Sequence, residues 1–193
     1  MRDITLCHPR LQRIASAWIK ACATEGITVD IGETLRTVAE QDALYAQGRT
    51  KPGNIVTNAK GSSYSSQHQW GIAFDFYLKM DVDGDGSVSD DAYNDSTGMF
   101  KKAAELAKAL GLAWGGDWRS IVDKPHLYLP DWGSATNILK QRYGPFEAFK
   151  KTWPKMDVAP VKADSDAGAA DLKDIKSGAY GLSVTASSLI IRT

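Results

Sequence analysis

Between positions 71 and 78 apolar and other residues alternate without a break. Ile72, Phe74, Phe76 and Leu78 fall on one side, and Gly71, Ala73, Asp75 and Tyr77 on the other. A period of two marks a strand with one buried face. Such a strand demands a core on its aromatic side. On the other it presents a carboxylate flanked by small residues, a place where something approaches closely. A one-residue slip would put Asp75 into that core, so the register is tightly specified.

Helical patterns surround the strand. Residues 9–25 carry Leu11, Ile14, Trp18 and Cys22 on one side, with Pro9 suited to a first turn and Gly26 to a stop. Residues 27–35 are rich in β-branched side chains and read as a strand. Thr37-Val38-Ala39-Glu40 is a capping box that opens a helix ending at Gly48. Residues 49–65 read as a polar loop. A second amphipathic helix, 97–110, turns Phe100, Ala103, Ala107 and Leu110 inward and stops at Gly111. A glycine-rich aromatic turn at 114–118, a short strand at 126–129 and short helices near 134–143 and 145–153 complete the pattern. The fold class is α+β: a small, mostly antiparallel sheet with helices packed on one face.

The chain has 193 residues, enough for one compact domain and a tail. From about residue 158 the composition turns small, polar and charged. We therefore expect a domain at 1–156, a linker at 157–180 and a β-prone tail at 181–193. Lys+Arg and Asp+Glu both number 23, and no basic stripe with interleaved aromatics is present, which argues against nucleic acid as a partner. No apolar run is long enough to cross a bilayer, and the N-terminus lacks an apolar signal core. The expectation is a chain made in the cytoplasm, not inserted into membrane, acting as a monomer. Cys7 and Cys22 are too few for a disulfide framework, and Cys22 reads as a small buried hydrophobe.

The chain has three histidines. His8 precedes a proline at a helix start and reads as a cap or a surface residue. His68 and His126 sit beside acids in glycine- and aromatic-rich surroundings. Each alone reads more readily as a hydrogen-bonded structural histidine. Pro125 disfavours helix, so a bend can bring Asp123 and His126 to one cavity.

Ser66 to Asp75 resembles, at every fixed position, the S-x-H-x-x-G-x-A-x-D signature of the zinc peptidase family of D-alanyl-D-alanine carboxypeptidases, dipeptidases and L-alanyl-D-glutamate endopeptidases of phage endolysins. Asp123 to His126 resembles the family's acid-x-x-His motif. The segments 32–48 and 114–118 are similar to its opening strand and helix and to a later aromatic turn, so the resemblance covers about residues 6–150. It implies that His68, Asp75 and His126 ligate zinc on the sheet. It implies that Asp123 is general base and then general acid, and that Arg36 steadies the developing oxyanion. Gln41, Ser66 and Trp114 would contact substrate. Aspartate at 123, rather than glutamate, points to the endopeptidase branch. The implied reaction is cleavage of the L-Ala-D-Glu bond of peptidoglycan, by an endolysin released through a membrane pore. A carboxypeptidase or dipeptidase of the same fold, and an inactive wall-binding module, are the alternatives.

Two further segments carry open readings. Asp81, Asp83, Asp85 and Gly86 match the start of a calcium loop, to which Ser87 and Asp91 could add ligands; Ala92 stands where the closing glutamate belongs. The other reading is a solvated acidic turn. The last ten residues resemble the first strand of an SH3-type wall-binding domain, or are a β-prone tail.

Overall fold

The computed structural model describes residues 2–119 and 121–155. The expected linker and β-prone tail lie outside the described residues. Helix α1 (Pro9–Thr24) starts with Pro9 in its first turn, and the His8 ring accepts from the Arg10 amide as the cap. Strand β1 (Val29–Ile31) is followed by α2 (Val38–Ala46), opened by the capping box of Thr37 and Glu40. Strand β2 (Ala73–Leu78) leads through the acidic loop to α3 (Met99–Ala109). Strands β3 (Ala113–Trp114) and β4 (His126–Tyr128) come next, then α4 (Asn137–Tyr143) and α5 (Phe146–Lys150).

The four strands form one antiparallel sheet in the order β1-β2-β4-β3. Asp75 on β2 stands directly opposite His126 on β4. Phe74, Phe76 and Leu78 are buried on the other face together with Leu127. There they meet α1, whose Trp18 ring lies 5.5 Å from Phe74 and 5.0 Å from Phe76. The Trp18 indole donates to Ala103 O at 2.8 Å, tying α1 to α3. Truncating so central a ring to alanine costs about 3–5 kcal/mol. Cys7 and Cys22 are buried free thiols, pushed up to about 12 by burial, and so are inert packing residues.

The ends of the described chain clamp the turn that enters β2. The His8 amide donates to Gly71 O at 2.7 Å. Trp153 covers Gly71 so closely that a Cβ there would lie 2.9 Å from its ring, and Gly71 also holds φ +62°. The His8 ring packs among Trp132, Phe149 and Trp153.

Candidate functional site

His68 lies in a 3₁₀ turn (Gln67–Trp70) that ends at Gly71 and delivers the chain into β2. Asp75 follows on that strand, and His126 opens the neighbouring one. The two imidazoles are buried, with ring centroids 4.9 Å apart. Both aim at one oxygen: Asp75 Oδ1 is 3.2 Å from His68 Nε2 and 3.0 Å from His126 Nδ1.

The outward nitrogens identify the tautomers. His68 Nδ1 is 2.9 Å from Thr34 O, a carbonyl that can only accept, so Nδ1 carries the proton. Gln67 Nε2 donates to Gly133 O, which turns Gln67 Oε1 to His126 Nε2 at 2.8 Å, so that nitrogen carries the proton. His68 Nε2 and His126 Nδ1 are left as bare lone pairs facing a carboxylate. The three ligand atoms lie within 4.8 Å of one another. Three acceptors so arranged require positive charge between them, from protons in acid or from a metal ion. Burial pushes the Asp75 carboxyl up, but once the two imidazoles take up protons their charge and hydrogen bonds outweigh it and hold it well below the carboxylate range. A divalent ion therefore fits the donor set, and the N–H partners are those that metal-bound imidazoles take.

Asp123 enters through the turn that precedes β4. Its amide donates to Gly115 O at 3.1 Å, and its carbonyl accepts from the His126 amide at 3.3 Å. Gly115 makes this possible: a Cβ there would meet Asp123 O at 2.6 Å and His126 Cβ at 3.0 Å. Burial, and then the Asp75 charge, raise the Asp123 carboxyl above its ordinary range. Asp123 also lines a cleft of about 440 Å³ with Tyr93, Asp95, Phe100, Val122, Lys124 and Pro125.

Arg36 is buried beside the cluster. Its amide donates to His68 O at 3.2 Å, and its Nη1 donates to Gln41 Oε1 at 2.9 Å. Gln41 is wholly buried and donates to Thr57 Oγ1 and Ala59 O. It anchors Arg36 and the 57–59 loop, where the sequence suggests a substrate contact. Trp114 is also buried, and its indole donates to Lys124 O at 2.7 Å, bracing the Asp123 turn from behind. Ser66 is half-buried at the start of the His68 turn. Gln67 and Thr34 have no spacing that announces them in sequence. Trp118, 5.0 Å from the His126 ring, is part of the aromatic turn at 114–118 but carries no more signal than its neighbours.

In the acidic loop Asp81, Asp83 and Asp85 converge. Each also accepts a backbone amide of the loop, Asp81 from Gly84 and Gly86. Asp91, expected beside them, is turned inward to the Val82 amide and the Asn94 side chain. Ser87 serves its loop partners Asp85 and Ser89. Among the described residues, nothing beyond the three exposed carboxylates points to an ion there.

A family model described as D-alanyl-D-alanine carboxypeptidase matches residues 59–129, the span holding His68, Asp75, Asp123 and His126. The chain is 45% identical over 124 residues to the peptidoglycan L-alanyl-D-glutamate endopeptidase CwlK of Bacillus subtilis, covering 62% of this chain and 71% of that protein. It is 36% identical over 104 residues to the L-alanyl-D-glutamate peptidase of a Listeria phage, covering 54% of this chain and 31% of that one. Among solved structures, the L-Ala D-Glu endopeptidase ChiX of Serratia marcescens aligns with a TM-score of 0.46 at 18% identity, over 65% of this chain and 82% of that chain. The likeness to CwlK extends over most of that protein at high identity, and on this ground the chain belongs to the peptidase family of D-alanyl-D-alanine carboxypeptidases and L-alanyl-D-glutamate endopeptidases.

Proposed function

We propose that this chain is a zinc-dependent peptidoglycan endopeptidase that cuts the L-Ala-D-Glu bond of the stem peptide and serves as an endolysin in host lysis. The observation that carries the reading is the convergence of two bare imidazole nitrogens on Asp75, with a carboxylate of raised pKa, Asp123, beside them. His68, Asp75 and His126 would hold zinc, which in such a set supplies positive charge that polarises a carbonyl and acidifies water.

This chain's own groups do the rest. Asp123 takes the proton of the attacking water and passes it to the leaving amine. Its raised proton affinity suits both halves of that transfer. Arg36, held by Gln41, keeps positive charge beside the scissile carbonyl as its oxygen turns negative. Ser66 borders the substrate path, and the cleft on Asp123 receives the half of the peptide that leaves as the amine. The names of the Bacillus and Listeria phage relatives both specify the L-Ala-D-Glu linkage, and aspartate at 123 agrees with that branch. Family membership also brings in a second reading, a D-alanyl-D-alanine carboxypeptidase or dipeptidase. A metal-stabilised module that only binds wall has no use for Arg36 or Asp123. No described helix is long and apolar enough to cross a membrane.

Mass spectrometry of purified wall digested by the zinc-loaded protein tests the assignment. The expected product is a new amino terminus on D-Glu. Released D-Ala alone, from wall or from added D-alanyl-D-alanine dipeptide, would establish the second reading, and both substrates left intact would defeat both.

A further inference from the structure

We propose that Gln67 is a positioning residue that selects the protonated nitrogen of His126 and so keeps Nδ1 bare for the metal; the proposal rests on the metal-centre reading above. His126 faces two competing acceptors. Asp75 Oδ1, 3.0 Å from Nδ1, draws the ring proton to the inner side, where it would block a metal. Gln67 Oε1, 2.8 Å from Nε2, draws it outward. The side chain cannot rotate out of this duty cheaply. Gln67 is 5% exposed, and its amide nitrogen donates to Gly133 O at 3.2 Å, so a flip would set oxygen against oxygen there and nitrogen against the ring N–H. His68 needs no such side chain, because the Thr34 carbonyl orients it. The two imidazoles are thus oriented by different means, one by backbone and one by a replaceable residue adjacent to the other ligand in sequence.

Placing the orienting amide next to His68 also couples the two ligands. The 3₁₀ turn that aims His68 inward carries Gln67 to the far side of His126. A shift of that turn moves one ligand and loosens the other's tautomer together. Outer partners of this kind are generally worth about 10–100-fold in metal affinity.

The test compares Gln67→Met, which keeps the length and removes the acceptor, with Gln67→Glu, which keeps an acceptor and gives up the bond to Gly133. Zinc affinity is read by chelator competition, and ring ¹⁵N shifts of the metal-free protein report the His126 tautomer. Gln67→Met is expected to bind zinc about 10–100-fold more weakly, with a larger Nδ1–H share. Gln67→Glu is expected to stay near wild type in both. Should Gln67→Met fail to fold, Gln67→Asn, too short to reach the ring, replaces it. Wild-type affinity in Gln67→Met, or equal losses in Met and Glu variants, would overturn the proposal. If the wild-type protein binds no zinc, the metal reading falls instead.

Discussion

Asp123 and His8 are both half-buried titratable groups, and their surroundings assign them opposite work. Around Asp123 burial, and then the neighbouring Asp75 charge, favour the protonated form, which equips it for proton transfer. Asp123→Ala is expected to keep zinc and lose nearly all turnover, whereas His126→Ala loses both; metal analysis beside a wall-lysis assay separates the two. Arg36→Ala is expected to lower kcat by on the order of 10²–10³, the cost of one oxyanion donor. His8 instead lies among three aromatic rings, and burial, then Arg10, lower its pKa to about 4. The unfolded chain, titrating near 6.5, binds the proton more readily than the folded one. This share of stability is therefore full above about pH 6.5 and is lost as pH falls from there to about 4. His8→Asn, which retains a capping acceptor, should shallow the fall in denaturation midpoint between those limits; an unchanged slope would remove His8 from the acid response. At this scale the convergence of His68, Asp75 and His126, with Asp123 and Arg36 close by, is legible in residue types and order, while the role of each is the one proposed above. Gln41 and Trp114, expected to contact substrate, are buried here, where Gln41 holds Arg36 and Trp114 braces the Asp123 turn. Sequence says that they are near the site but not whether they face it or brace it.

The elements differ from their sequence pattern where the site draws on backbone. The β-branched run at 27–35 predicts one long strand, yet β1 covers Val29–Ile31. The chain still follows β2, with Gly32 N donating to Asp75 O and Asp75 N to Glu33 O. It leaves the regular ladder so that Thr34 O can turn to His68. A propensity pattern cannot anticipate a carbonyl claimed by a ring 34 residues away. The strand carrying Asp75, the capping box and the two long amphipathic helices do follow their patterns, since each is set by local chemistry and one buried face. The aromatic turn has its own constraint at Gly115, packed against the Asp123 backbone. Gly115→Ala must push that backbone aside. We expect at least a tenfold loss of activity with secondary structure intact, measured by wall lysis beside circular dichroism. Native activity would show that the turn tolerates the shift.

Across the whole molecule, the sheet divides labour between its faces: the packed core of Phe74, Phe76 and α1 on one, the cluster of His68, Asp75 and His126 on the other. A metal held only by the folded arrangement stabilises it by mass action, about 2.7 kcal/mol at a hundredfold excess over Kd. Zinc should raise Tm in wild type and leave His126→Ala unmoved, as read by thermal melts with and without chelator. The cleft that opens on Asp123 has an apolar rim, with Tyr93 and Val122 well exposed. Tyr93→Ala and Val122→Asp should raise KM several-fold for extended stem peptides and change little for a substrate ending at D-Glu; equal effects on both would empty the cleft of its role. The register that sets Asp75 against His126 also bears on how the chain folds. These two residues are 51 positions apart, and the intervening segment contains all of α3 and β3. Their meeting closes a long loop, and such contacts form slowly. In refolding, helical signal should therefore rise before the protein can capture zinc, making metal uptake a clock for the last stage of assembly.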